Sequence, residues 1–426
     1  MRRITLFLIA LTLSIMAQAQ LTLEQCHKLA HDNWPLIKQY GIIEQSSSYT
    51  LSNIMHSWLP QVNISAQATY QNNVPSFPDQ MQNMLAASGL EMNGLANDQY
   101  RMQADVSQKI FDGGKASSER ALTQAQDAEL KAQNDVDLYT LNKRVDELFF
   151  GILLMDERIK QTNLSIEMLN GNLDKLQSHV RNGIATTADE NLLTAEILTV
   201  EQNRDNMQWV RMSYQQMLEI MIGQSIGDLY LVKPQEIEPA TSIVNRPELK
   251  LIDAKIGTIQ AREKATNASV MPVISLFGQA FYGYPGYNTF EAMLNRKWSL
   301  NAMVGVRAQW SLSSLYDRKN NLNKLNTARQ QAELQRNIFL LNNSLEVVKE
   351  NNEISRLRQL IKSDASIVDL RRNVRLAEES KLRNGVIDIH RLVERITDED
   401  TAVQARIIHN IELLKTIYEL KNTVNQ

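Results

Sequence analysis

The 426-residue chain carries 45 Lys and Arg against 48 Asp and Glu, a formal net charge of −3; this mildly acidic balance excludes a nucleic-acid binder. Its single cysteine, Cys26, excludes an intrachain disulfide. Beyond the N-terminal segment there is no run of about 18 apolar residues, which excludes a helical membrane span but leaves room for barrel strands, whose two faces alternate.

The chain opens with a basic n-region, MRR, an apolar h-region, ITLFLIALTLSIM, and the small-x-small site Ala17-Gln18-Ala19. That order predicts a secretory signal peptide over 1–19 and a mature start at Gln20. No lipidation cysteine follows the h-region, so no lipid anchor is expected at this end.

A first repeat is read over 20–223: N-terminal helices, a β-hairpin at about 59–111, a long helix at about 115–182 and a return helix at about 187–222. In QVNISAQATYQ, Val62, Ile64, Ala66, Ala68 and Tyr70 share one parity and Gln61, Asn63, Ser65, Gln67 and Thr69 the other. That is a strand with one apolar and one polar face. Met102, Ala104, Val106 and Ile110 alternate in the same way. The long helix holds no proline, and Leu138, Leu141, Val145, Leu148, Ile152, Met155 and Ile159 step by 3 and 4 along it. The step continues through Ile166, Leu169, Leu173, Leu176 and Val180, with Thr162 as the one miss. This is a coiled-coil seam on a helix roughly 100 Å long.

A second repeat is read over 224–426, with a linker and helix at about 245–268, a hairpin at about 271–312, a long helix at about 315–383 and a return helix at about 389–422. Trp298 to Leu312 alternates, with Met303 out of phase. In 273–284, Phe277 and Phe281 share parity with Ser275 and Gln279, so that strand is mixed. The second long helix shows a weaker seam through Leu334, Ile338, Leu341, Leu345 and Val348. Duplication is visible in residues: SWLPQVNISAQATY aligns with SVMPVISLFGQAFY, Pro60 meeting Pro272, and RNGIATTAD aligns with RNGVIDIHR just past both long helices.

Four strands cannot span lipid as an open sheet, because exposed edges there are not tolerated. Oligomerisation must close the barrel: two chains give eight strands filled by side chains, three give twelve and a lumen. Tyr70, Tyr100, Tyr282, Tyr284, Trp298 and Trp310 lie near strand ends, where interfacial aromatics belong.

With these segments in place, the chain resembles the TolC-like outer membrane efflux proteins over nearly its whole mature length. LTLEQCHKLAHDNWPLIKQY looks like the family's N-terminal helix with its Asn-x-Pro break, and SQKIFDGGK like its strand-to-helix turn. The resemblance implies a mainly α fold with a membrane β-barrel part: a homotrimer in the outer membrane, with a twelve-stranded barrel on a periplasmic tunnel of long antiparallel coiled-coil helices. It implies an exit duct without enzymatic activity or cofactor, partnered by a periplasmic adaptor (membrane fusion) protein and an inner membrane pump. The two RNG segments, Arg181-Asn182-Gly183 and Arg383-Asn384-Gly385, resemble the tip turns at which adaptors dock. Acidic residues of the tunnel entrance follow those turns; Asp189 matches one, while in the second repeat the equivalent positions hold Arg391 and Glu394. The second strand-to-helix turn, WSLSSLYDRK, departs from the family by lacking Gly-Gly, and Ser313, Ser314 or Asp317 is expected to cap the helix instead.

His27 and His31, spaced i, i+4 beside Cys26 and Asp32, have a metal-like spacing, but the polar face of an amphipathic helix accounts for them, and no metal site is expected. FDGGK lacks the remainder of a phosphate loop, and HExxH, GxSxG and paired-cysteine motifs do not occur. The competing class is a periplasmic coiled-coil structural or adaptor protein that never enters the membrane. Adaptors would carry small β-rich domains beside one helical hairpin, and no such segment lies between the repeats.

Overall fold

In a computed structural model the described residues are 20–89, 94–227, 230–237, 244–384 and 386–425. The expected signal peptide and Gly385 lie outside them. The described residues form two compact units, those of 20–40, 132–251 and 335–425, and those of 41–131 and 252–334.

In the second of these units a four-stranded antiparallel sheet runs in the order β2–β3–β5–β6, with β2 at Gln61–Tyr70, β3 at Asp98–Phe111, β5 at Val273–Tyr284 and β6 at Ser299–Gln309. Register places Ile64, Ala104, Ala280 and Ala302 in one row and Asn63, Asp105, Gln279 and Met303 in the next. Since alternate residues point to opposite faces, one face carries Val62, Ile64, Met102, Val106, Leu276, Leu300, Val304 and Val306. These side chains are exposed: Val304 at 87%, Leu300 at 77% and Ile64 at 69%. The polar face is the better covered of the two along β5, where Phe281 is 1% exposed. Arg101 lies over the Phe281 ring at 4.2 Å and Arg307 over Phe277 at 4.7 Å, which explains the mixed alternation of β5. Its two phenylalanines belong to the polar face as platforms for guanidinium groups.

Aromatic rings gather at one end of the apolar face, Tyr100 stacking on Trp298 at 5.8 Å and Tyr282 meeting Trp298 at 5.4 Å. Tyr284 departs from the expected interfacial role. It is 3% exposed, packs with Leu95 and Ala292, accepts from Ala96 N–H and donates to the Ala292 carbonyl. The segments that join the strands of each hairpin contain two short helices, α3 at Asp79–Ala87 and α7 at Thr289–Leu294.

β3 passes into α4 (Lys115–Arg181) through Asp112-Gly113-Gly114, with both glycines at positive φ. Asp112 is buried and accepts from Gly114 N–H at 2.9 Å and Ala116 N–H at 2.7 Å, so one carboxylate both closes the turn and caps the helix. A Cβ at Gly113 would lie 2.2 Å from Met271 Cβ. At the second turn the expected side-chain cap does not form. α8 (Ser314–Arg383) starts with backbone turns from Leu315 N–H to Leu312 and Tyr316 N–H to Ser313, while the Ser314 hydroxyl donates to the Ser311 carbonyl.

In the other unit β1 (Gln20–Leu21) pairs in parallel with β4 (Tyr230–Leu231). The core joins Leu23, Cys26 and Ala30 of α1 (Leu23–Asn33), Leu141 to Leu153 of α4, Leu218 and Ile222 of α5 (Thr187–Ile222), Ile354 and Leu357 of α8, and Ile411 to Val424 of α9 (Ile389–Val424). Pro35 stops α1, since the residue before a proline is pushed out of helical conformation: Trp34 has ψ 130. The Asn33 amide then donates to the Ile220 and Met221 carbonyls at the end of α5. α2 (Ile37–His56) and α6 (Pro247–Ser269) complete the helices.

The α4 seam is buried at Leu138, Leu141, Val145, Leu148, Ile152, Met155, Ile166, Leu169 and Leu176. Thr162 belongs to it, 3% exposed, donating to the Arg158 carbonyl and accepting from the Gln404 amide. A hydroxyl satisfied in this way fits a seam without loss. The α8 seam differs. Leu334, Ile338, Leu341, Leu345 and Val348 are each 50–61% exposed.

Candidate functional site

The first tip turn is built from the C-terminus of α4. Gly183 has φ +73; its N–H donates to the Val180 carbonyl at 3.0 Å, and Ile184 N–H reaches back to His179 at 2.9 Å. This is a Schellman closure, which needs a left-handed residue that only glycine supplies cheaply. A Cβ at Gly183 would meet nothing within 4 Å, and Arg181 and Asn182 are exposed beside it. At the second turn Val386 N–H donates to Lys381 at 3.0 Å, and the Asn384 amide to Ser380 at 2.9 Å. Arg383 is exposed there, while Gly385 lies outside the described residues.

Beyond the turns α5 and α9 start on their own caps and pack together. Thr186 accepts from Asp189 N–H while the Asp189 carboxylate accepts from the Thr186 N–H at 2.9 Å and hydroxyl at 2.7 Å. This reciprocal capping box is legible in T-T-A-D, although the sequence reading assigned Asp189 to the entrance only. These bonds hold its carboxyl below the usual range. On α9, Asp388 caps by accepting from Arg391 N–H at 3.0 Å. Leu193 and Ile197 of α5 meet Ile389, Leu392, Val393 and Ile396 of α9 in a local core with Leu169 and Leu176 of α4.

The three residues expected at the entrance do not share one groove within the protomer. Glu394 lines a groove between α5 and α9 together with Glu196 and Asp398; Asp189 and Arg391 are outside it. Arg391 acts on α8: Glu378 is held ionised chiefly by a hydrogen bond from Lys381, with Arg391 and Arg395 adding to it. Glu394 pairs with Arg395 at 2.8 Å, which also reaches Asp398 at 2.8 Å, and Asp398 receives Arg371 of α8 at 2.7 Å. The groove carboxylates Glu196 and Asp398 were not singled out in the sequence; their signal was helical spacing, seven residues after Asp189 and four after Glu394.

The metal-like spacing near the N-terminus dissolves in the fold. His27 Nε2 lies 2.6 Å from Asp146 of α4, His31 is half-buried with, among the described residues, no carboxylate other than its neighbour Asp32 near it, and Cys26 is fully buried in the core. Burial pushes its thiol up to about 12, keeping it protonated and inert. Among the described residues no three His, Cys, Asp or Glu side chains gather as a metal site.

The Asp189 cap gives a pH-dependent expectation. A carboxyl with a lowered pKa contributes stability above its unfolded pKa and loses it as pH falls through the folded one. At neutral pH Asp189→Asn should speed amide exchange in the first turn of α5 about two- to five-fold, the roughly 0.3–1 kcal/mol that an exposed carboxylate contributes in the first turn of a helix. The difference from wild type, after correction for intrinsic rates, should vanish in acid. A difference that persists there would contradict the carboxylate's role.

No protein-family model matches this chain, and no curated protein matches it by sequence. Its fold does match solved structures. The outer membrane protein VceC from Vibrio cholerae aligns with a TM-score of 0.70 and 12% identity, over 94% of this chain and 95% of that one. The Campylobacter jejuni CmeC outer membrane channel aligns at 0.68 and 13%, over 94% and 85%. The Neisseria gonorrhoeae MtrE outer membrane channel, in its open state, aligns at 0.66 and 12%, over 94% and 88%. The fold is that of outer membrane channels, as the resemblance to TolC-like proteins implied.

Proposed function

We propose that the chain is one protomer of a trimeric outer membrane channel, the exit duct of a tripartite efflux or type I secretion system. It conducts substrates passively from an inner membrane pump, joined through a periplasmic adaptor, to the exterior. One observation carries this reading: the sheet exposes its apolar face, with Val304, Leu300 and Ile64 its most open residues, while along β5 its polar face is the better covered of the two. In water that arrangement leaves a large apolar patch unburied; in lipid it is the outer surface of a barrel.

β2 and β6 each have one neighbour within the chain, and both free edges must be paired to enter a bilayer. Three copies close twelve strands around a lumen. The exposed heptad stripe of α8 supports the same assembly, since such a stripe is covered by another helix. Within this reading the tip turns Arg181-Asn182-Gly183 and Arg383-Asn384-Gly385 dock the adaptor. The carboxylates of Asp189 and Glu394 serve the entrance, and Arg391 steadies Glu378 rather than the pore.

A periplasmic structural or adaptor protein would bury the apolar strand residues, so the exposure of Val304 and Leu300 disfavours that class. Cell fractionation tests the choice. The mature chain should sediment with outer membranes and need detergent for release; recovery in the soluble periplasmic fraction would defeat the proposal.

A further inference from the structure

The polar face of the sheet has a charge pattern that its composition hides. Residues of this face are Gln61 to Thr69 at odd positions in β2, Gln99 to Lys109 in β3, Val273 to Gly283 in β5 and Ser299 to Gln309 in β6. Among them the cations are Arg101, Lys109 and Arg307, and the only carboxylate is Asp105. The register groups them. Lys109 and Arg307 flank Ser275 in one row near the strand ends that lead into the helices. Arg101 lies toward the other end, beside Gly283, about 26 Å away at 3.3 Å per residue. Asp105 lies between, its two oxygens accepting from the Gln103 amide at 2.7 Å and the Gln279 amide at 2.9 Å.

Among the described residues none of the three cations meets a carboxylate. The two guanidinium groups instead sit over the rings of Phe281 and Phe277. A ring face fixes the position of a guanidinium without neutralising its charge, so both remain available to a passing ion. Phe281 is held in turn by an edge contact from Tyr287 at 4.9 Å, and the Tyr287 hydroxyl donates to Gln279. Asp105 is engaged by amides on both oxygens and offers a weaker counter-field.

We propose that this face makes the barrel lumen an electropositive throat that favours anionic solutes, with Arg101, Arg307 and Lys109 as its selectivity-determining residues. The inference rests on the channel reading above, because only closure around a lumen converges these side chains. In a trimer each chain contributes three cations and one carboxylate, and a low-dielectric wall focuses their field on the pore.

The test is reversal potential in planar bilayers under a potassium chloride gradient, using the full mature chain. Charges elsewhere in the pore are common to every variant, so the readout is the shift from wild type. R101Q with R307Q should move the chloride-to-potassium permeability ratio toward cations by about two-fold or more. R101K with R307K keeps the charge and should stay near wild type. D105N should shift the ratio the opposite way, toward anions, which keeps the proposal testable if the double arginine variant fails to assemble. Pores with unchanged reversal potentials in the neutralising variants, or with shifts in one common direction, would overturn the throat while leaving the channel reading intact. Failure of the wild type to form any pore would overturn both.

Discussion

Val304→Arg is expected to abolish delivery of the chain to the outer membrane, while Ser65→Arg is tolerated. Val304 is the sixth of eleven residues in β6 and 87% exposed on the apolar face. A charge near mid-bilayer on the lipid side of a barrel costs roughly 2–4 kcal/mol. A trimer incurs that cost three times, which exceeds the margin by which such assemblies outcompete unfolded chains. Ser65 has the opposite parity and sits across from Gln103, so an arginine there points toward water. Gln67 is the less suitable control, because the register sets it opposite Arg101 and like charges directly across a ladder repel. Immunoblots of separated membranes would check the pair, and equal outer membrane levels would refute the assignment of the two faces.

Gly183→Val is expected to abolish export while leaving the amount and oligomeric state of the protein unchanged. Forcing a β-branched residue to φ +73 costs at least the 1–2 kcal/mol typical of left-handed residues, and the Schellman bonds of Ile184 and Gly183 open. Nothing lies within 4 Å of the added Cβ, so the damage cannot spread by steric contact into the packing of Leu193, Leu392 and Ile396. If the turn serves as a docking surface, its loss removes the adaptor and hence transport. Resistance or secretion assays beside a quantified protein level check this, and full export by the variant would return Gly183 to a plain helix terminator.

Much of the fold was legible because its two kinds of segment have incompatible periods. The parity of Val62 to Tyr70 and the 3–4 step from Leu138 to Val180 leave no ambiguity between strand and helix. β5 was less clear, since Phe277 and Phe281 look like core until Arg101 and Arg307, distant in sequence, are placed above them. α3 and α7 went unread because two turns of helix carry too few residues for periodicity. Around the tip the turn chemistry was visible in RNG, but side-chain direction was not. Sequence counting placed Asp189, Arg391 and Glu394 by their height along the helices; it did not reveal that Asp189 also closes a capping box with Thr186 or that the Arg391 charge adds to the field on Glu378. Tyr284 was misplaced for a related reason: position near a strand end is a statement about height along the sheet, and its burial against Ala292 of α7 depends on a loop that periodicity does not describe.

The mass of the complex extracted in mild detergent and measured by native mass spectrometry tests the central claim most directly. Three copies of the mature chain are predicted, because four strands per chain with two free edges close into a lumen-bearing barrel at twelve. A monomer or dimer that still inserts into bilayers would contradict the account, since neither leaves a water-filled path for the polar face to line.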